Sequence, residues 1–165
     1  MEKIIKESAQ RTLELLRECH DKQIPYSEGP FQDIEIDVAH TPLKSRQFFL
    51  NHPYFIILNK LKSLLIREAY ANLIGATVDR QRNLVKDGRT YAVRTQRDIP
   101  GCVERFKDIP AFCPSADYLV CYDELAEMFV TYDRTGKLLS CIEYDSPESW
   151  KEINALRGNK SWFRK

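Results

Sequence analysis

The chain has 165 residues, which is enough to bury the core of one domain without help from disulfides or metal ions, and we predict a single domain over residues 1–165. An apolar fraction of 43% and a charged fraction of 30% are ordinary for a globular protein and exclude a largely disordered one. The net charge of +1 conceals a segregation of sign: residues 79–107 hold eight basic and four acidic side chains, whereas residues 108–149 hold two basic and nine acidic ones.

The five cysteines bear on the compartment of the protein. Their number is odd, their spacings are wide and no Cys-x-x-Cys pair occurs, which argues against a disulfide scaffold and against a zinc ribbon. Cys113, in a proline-rich stretch, is the only thiol that the sequence places where we expect exposure. No apolar run approaches the ~20 residues of a membrane span, and the N-terminal residues lack the pattern of a signal peptide. We therefore expect a cytoplasmic protein without a membrane partner.

The first half of the chain predicts helices around one strand. Apolar residues at i, i+4 and i+7 spacing predict an amphipathic helix over residues 2–20. Strict alternation over residues 33–38 predicts a strand with three acids on one face. The most apolar helix is expected to begin at Pro53, which a first turn tolerates, and to end before Gly75, a suitable C-cap. This helix should be the central one.

The second half predicts strands followed by a helix. Asp87-Gly88 is a signal for a type I′ hairpin turn. Residues 96–117 contain several prolines and predict an irregular crossing with one helical turn at 103–107. A final helix is expected to begin at Pro147. Before it, three runs rich in β-forming residues predict an antiparallel meander: 118–122, 128–132 and 137–144.

This order of elements predicts an α+β domain. Its sheet is expected to be antiparallel throughout, built from the hairpin and the three-strand meander. We expect the sheet to pack on one face against two longer helices and a C-terminal helix. Residues 159–165 should form a basic, aromatic tail that is either flexible or docked, on the domain itself or on a partner.

The acidic face of the predicted strand 33–38 is the best-defined group of residues that could bind a metal ion or take part in catalysis. Asp33, Glu35 and Asp37 could hold Mg²⁺ or Mn²⁺ for phosphodiester hydrolysis, with Glu35, Asp37 and His40 catalytic. Lys44 could then stabilise the developing charge. Carboxylates at i, i+2 spacing lie about 6–7 Å apart, so a second element must complete such a site. The alternative is a solvent-facing strand whose acids discourage edge-to-edge pairing.

A second hypothesis comes from the basic stretch 80–107. With Tyr91 and Phe106 interleaved, it could follow a phosphate backbone and stack bases. No glycine-rich phosphate loop or nucleic-acid-recognition motif accompanies it, and a solvated hairpin face is the alternative. The candidate anion-binding residues are Arg80, Arg82, Arg89, Arg94 and Arg97.

The function that we favour is a small intracellular binding protein that acts through a charged surface, as an inhibitor, an adaptor or a subunit of a larger complex. A metal-dependent nuclease and a non-catalytic nucleic-acid-binding protein are the alternatives, and only the nuclease needs a cofactor. Whether the acids of the meander pair with the basic stretch or face a cationic partner is left open. The candidate residues for binding a protein partner are Asp123, Glu124, Glu127, Trp162 and Phe163.

Overall fold

A computed structural model describes residues 9–32, 52–95 and 98–159 of the protein. In these ranges it has four helices and six strands: α1 Ala9–Asp21, α2 Pro53–Ile74, β1 Thr77–Val78, β2 Leu84–Lys86, β3 Arg89–Arg94, α3 Ile99–Asp108, β4 Tyr118–Asp123, β5 Met128–Tyr132, β6 Leu138–Glu143 and α4 Glu148–Gly158. None of the helices in the described ranges combines the length and the apolar character that a membrane crossing requires. The predicted strand 33–38 lies outside these ranges.

The chain divides into two compact units. One comprises Met1–Leu65 and Pro147–Lys165, and the other comprises Ile66–Ser146. Helix α2 contributes its first residues to one unit and its last residues to the other. That residues 1–165 form a single domain stays a prediction.

The core of the first unit is formed by helices α1, α2 and α4. Leu13 and Leu16 of α1 are 1% and 0% exposed, which confirms the amphipathic pattern over this part of the predicted helix. They share a core cluster with apolar residues of the other two helices, including Tyr54, Ile57, Leu58, Leu61, Ile153 and Leu156. At the surface, Arg17 donates from Nη2 to Oε1 of Glu152 at 2.6 Å, and this bond holds the pKa of Glu152 below its usual value.

The second unit contains a six-stranded sheet in the order β1-β2-β3-β4-β5-β6. Its β2–β3 hairpin turns at Asp87 and Gly88, whose φ angles of 51° and 76° are those that a type I′ turn requires, as predicted. The three strands of the meander are also confirmed, with β4, β5 and β6 paired antiparallel in sequence. The α+β class is therefore correct.

The prediction of a sheet that is antiparallel throughout was wrong. Strands β3 and β4 are parallel, with Tyr91 opposite Tyr118 and Arg94 opposite Cys121. The reason is that residues 96–117, expected to be irregular, contain the ten-residue helix α3. A helical crossover returns the chain to the edge of the sheet at which β3 begins, so that β4 runs in the same direction as β3.

Helices cover both faces of this sheet, whereas we expected one covered face. On one face, Ala92, Leu119 and Cys121 share a buried cluster with Cys102 and Phe106 of α3. The opposite face carries the alternate residues of each strand, because side chains alternate along a strand. There Tyr70, from the last turns of α2, packs with its ring centroid 5.0 Å from that of Phe129. The mixed sheet is thus enclosed by α3 and by the end of α2.

Candidate functional site

The β4–β5 connection carries three of the predicted partner-binding acids on a loop with a fixed backbone. We call residues 123–127 the acidic loop. Asp123 Oδ1 accepts from the backbone N–H groups of Leu125 and Ala126, at 3.1 and 3.2 Å. At the other end, the carbonyl oxygen of Glu127 accepts from the Tyr144 N–H at 2.9 Å. The loop is therefore held at both ends by hydrogen bonds.

Two of the three acids in the acidic loop have structural roles as well as charge. Asp123 caps the turn through the bonds just described, and Glu127 Oε1 accepts from the Ser146 N–H at 3.1 Å. Glu127 also has a φ of 49°, in the left-handed region that closes the turn. Glu124, which lies between these two residues in sequence, is exposed.

A hydrophobic side chain stands at the tip of the acidic loop. Leu125 is 99% exposed, the highest exposure among the large hydrophobic side chains that the structure describes. It borders a cavity of about 330 Å³ in the second unit, whose wall also includes Asp123 and Glu124. The remaining wall residues come from α2, from the end of β3, from α3 and from β4: Ile66, Thr95, Ile99 and Tyr122.

The cavity lies at the carboxyl ends of the two parallel strands. Thr95 directly follows β3, Asp123 ends β4, and Ile99 is the first residue of α3. The crevice outside the carboxyl ends of parallel strands is a usual place for a ligand in sheets with helical crossovers. Its wall here combines apolar residues with two acidic ones, Asp123 and Glu124.

The basic residues of β3 do not form one surface. Arg89 and Arg94 are five positions apart, so they point to opposite faces of the strand. Arg89 donates to the Tyr118 hydroxyl at 3.1 Å. Arg94 donates to the Cys113 Sγ at 3.0 Å, and its guanidinium lies 5.7 Å from the ring centroid of Phe112. Part of the predicted basic stretch is thus engaged in internal packing.

The other arginines of that hypothesis lie away from β3 in sequence. Arg80 is exposed, and Arg82 has a φ of 66° in the turn before β2. Arg97 lies outside the described residues. Nucleic-acid binding by these side chains stays a prediction.

Three cysteines are buried beside Arg94 in the α3-facing cluster. A side-chain hydrogen bond with Cys121 and the positive charges of Arg105 and Arg94 lower the pKa of Cys102 to about 7. Burial raises the pKa of Cys113 above its ordinary value. Cys113 is only 4% exposed, so the expectation of an exposed thiol at this position was wrong. The proline-rich sequence around it indicates a loop but not that Cys113 packs onto the sheet.

We expect one of the five thiols to react rapidly with a water-soluble thiol reagent in the dilute native protein. Cys141, on edge strand β6, is exposed, and the other four are buried. Labelling with Ellman's reagent, with and without denaturant, measures this number. A Cys141→Ser variant should lose the fast phase and keep four slow thiols, and fast labelling of Cys113 would contradict the packing described above.

The residues of the nuclease hypothesis lie outside the described ranges. These are Asp33, Glu35, Asp37, His40 and Lys44, and the tail residues Trp162 and Phe163 are also outside. Within residues 9–32, 52–95 and 98–159, no three His, Cys, Asp or Glu side chains are grouped to hold a metal ion. The metal site, the catalytic set and the role of the tail stay predictions.

The sequence indicates the acids of the acidic loop but not the cavity beside them. The wall residues Ile66, Thr95 and Ile99 come from three separate segments, and only the tertiary structure brings them together. One local signal was present: Leu125 is a lone large apolar residue in a short loop of acids.

No family model, curated protein or solved structure matches this chain. The acidic loop and the adjacent cavity are the described features that combine charge, exposed apolar surface and a fixed backbone.

Proposed function

We propose that the chain is a binding protein that docks a cationic segment of a protein partner on the acidic loop. The observation that carries the proposal is Leu125, which is 99% exposed on a loop whose backbone is fixed by hydrogen bonds and flanked by acids. An inhibitor, an adaptor and a subunit of a larger complex all work through such a surface.

The exposed leucine gives the surface an apolar contribution to binding. Burying a leucine side chain fully is worth roughly 1.5–3 kcal/mol of transfer free energy. Because the turn is already fixed by Asp123, docking does not have to order the loop, so more of that free energy remains as affinity. Leu125 is thus placed as an anchor side chain would be.

Charge determines the kind of partner. Residues 108–149 hold nine acidic and two basic side chains, and Glu124 beside Leu125 is exposed. A negative patch speeds the association of a positive partner and disfavours a negative one. This surface therefore suits a lysine- or arginine-rich protein segment and repels a nucleic-acid backbone. No described residue gives comparable support to the nuclease or to nucleic-acid binding.

The proposal predicts that two substitutions in the acidic loop weaken capture of a partner. Glu124→Lys reverses the charge, and Leu125→Asp removes the apolar anchor, so each should raise the Kd at least tenfold, equivalent to about 1.4 kcal/mol. Proteins retained by the immobilised wild-type chain from an extract of its native host are identified by mass spectrometry. The Kd of each purified candidate is then measured at low and at physiological salt.

Glu148→Lys serves as the control, because it makes the same charge reversal at an exposed position, in the first turn of α4, where it also removes an ion pair with Lys151. It should leave the Kd within about twofold of the wild-type value. If Glu124→Lys and Glu148→Lys bind a purified partner with equal affinity, the acidic loop is not the docking surface. If no purified protein binds the wild-type chain, the proposed function is wrong.

A further inference from the structure

Strand β6 forms an edge of the sheet, since it stands last in the strand order. Every residue of β6 except Ile142 is exposed. Two of the exposed residues are large and apolar: Leu138 is 49% exposed and Leu139 is 47% exposed. An exposed strand edge with apolar side chains is a place where another strand can be added to a sheet.

The backbone of β6 directs hydrogen-bonding groups away from the sheet. Just after the strand, the Tyr144 N–H donates to the Glu127 carbonyl oxygen at 2.9 Å. Along an antiparallel pair, successive residues point their N–H and C=O groups alternately toward the neighbouring strand and away from it. The backbone groups of Glu143 and Cys141 therefore point away from β5, toward the position that an added strand would occupy.

The middle of β6 lacks the features by which edge strands usually avoid pairing. Charged residues and proline are common on protected edges, and residues 139–142 include neither. A register shift opposite Thr131 and Tyr132 lies at the start of β6, whereas residues 140–143 pair regularly with β5. At the other edge of the sheet, β1 has only two residues, which limits pairing there. The sheet is therefore best extended at β6.

Opposite charges stand at the two ends of β6. Lys137 precedes the strand, Glu143 ends it and Asp145 follows it, and all three are exposed. When a strand pairs antiparallel with a copy of itself, a base approaches acids at both ends, whereas a strand of another protein would need its own matching charges. We propose that two copies of the chain pair antiparallel through β6 and join their sheets into one.

The end charges determine the direction of this pairing more than its strength. Asp133, in the turn before β6, also attracts Lys137, so the second copy meets a charge that is already partly balanced. The affinity comes from the outward backbone groups and from the apolar side chains of Leu138 and Leu139. The pairing is independent of docking at the acidic loop.

Symmetry restricts the register of the pair. Residues directly opposite each other in a sheet lie on the same face, so a two-fold axis between identical strands passes at the level of a residue and not between two residues. An axis at Cys141 uses the outward backbone groups, because the N–H of each Cys141 donates to the carbonyl oxygen of the other. It also places Ser140 opposite Ile142 and brings Lys137 near residues 143–145 of the second copy. The axis therefore lies at Cys141.

Sedimentation velocity of the full chain over a range of concentrations tests the pairing. We expect a monomer–dimer equilibrium with a Kd on the order of 10–100 µM, because one strand edge is a small interface. Cys141→Lys places two positive charges opposite each other at the axis, so it should raise this Kd at least about tenfold. Val78→Lys is the matched control, since it adds the same charge at an exposed position on β1, and it should leave the Kd within about twofold of the wild-type value.

Disulfide cross-linking tests the register. Opposite residues of a hydrogen-bonded antiparallel pair have Cα atoms about 5.5 Å apart, within the range of a disulfide. Diamide takes up the two electrons and two protons that two thiols lose, and with it the wild-type chain should form a dimer linked through Cys141. Ser140→Cys in a Cys141→Ser background should cross-link at least about tenfold more slowly, because its Cα atoms are about 7–8 Å apart. Val78→Cys in the same background measures the rate of chance collisions.

Each contrary result overturns the proposal. A chain that stays monomeric up to about 1 mM does not pair through β6. Equal Kd values for Cys141→Lys and Val78→Lys would place the interface elsewhere, and faster linking at position 140 than at Cys141 would contradict the two-fold pair. A monomeric chain that loses capture of another protein on Cys141→Lys substitution would assign β6 to a strand of that protein. The cross-linking rates decide the question even where Cys141→Lys does not fold, because they need no added charge.

Discussion

Replacing Phe129 with alanine is expected to lower the free energy of unfolding by about 3–5 kcal/mol. Phe129 is fully buried in β5, with its ring centroid 4.9 Å from that of Tyr122 and 5.0 Å from that of Tyr70. The substitution removes the apolar transfer free energy of the ring, leaves a cavity, and ends the aromatic contacts on this face of the sheet. Urea denaturation followed by circular dichroism measures the change.

Two further variants show whether the effect comes from packing at Phe129. Phe129→Leu retains most of the buried volume, so it should cost roughly 1–2 kcal/mol. Leu125→Ala removes a side chain that is 99% exposed, so its effect should stay within about 0.5 kcal/mol. If Phe129→Ala costs less than about 1 kcal/mol, the aromatic packing between Tyr70, Phe129 and Tyr122 is not a stabilising core.

The elements that were predicted correctly are those with local signals. The hairpin at Asp87-Gly88 needs two residues with positive φ, and that pair of residue types is itself the signal. The strands of the meander, β4, β5 and β6, are short β-rich runs separated by turns, and such runs can be located without knowing their partners. Helix α2 was predicted correctly because three signals mark the same range. Its apolar residues recur at helical spacing, Pro53 stands where a first turn tolerates it, and Gly75 directly follows the last residue.

Helix α3 and the parallel pair that it creates were missed for a physical reason. Pro100 and Gly101 usually mark turns, yet Pro100 lies in the first turn of the helix, where the missing N–H costs nothing. The Gly101 N–H is the group that Asp98 caps. The pairing of β3 with β4 joins residues 27 positions apart, and no local pattern encodes it.

The candidate site was predictable in its charge and not in its shape. Asp123, Glu124 and Glu127 were named because they fall in the acidic part of the sequence. Composition does not show that Glu127 is bonded to the Ser146 N–H, nor that Glu124 stands beside a cavity. The cavity depends on α3 starting at Ile99 and on β4 ending at Asp123, and hence on the crossover that sequence reasoning missed.

Replacing Arg134 with alanine is expected to cost about 2–4 kcal/mol of the free energy of unfolding. Arg134 lies in the β5–β6 turn and donates to the carbonyl oxygens of Phe106, at 3.2 Å, and Cys113. Its guanidinium also lies 4.3 Å from the ring centroid of Phe106. Phe106 is in the last turn of α3, where carbonyls lack partners within the helix, so the substitution removes two charge-assisted hydrogen bonds and a cation–π contact.

Lys137→Ala is the matched control for this prediction, since it removes a basic, exposed side chain a few residues further along the same connection. It should change the free energy of unfolding by less than about 0.5 kcal/mol. Arg134→Lys should fall between the two, because a lysine keeps the charge but lacks the planar fork that reaches two carbonyls together. Urea denaturation of all three variants measures these changes in the free energy of unfolding. Equal stability of the Arg134→Ala and Lys137→Ala variants would show that the hydrogen bonds of Arg134 do not stabilise the packing of the turn on α3.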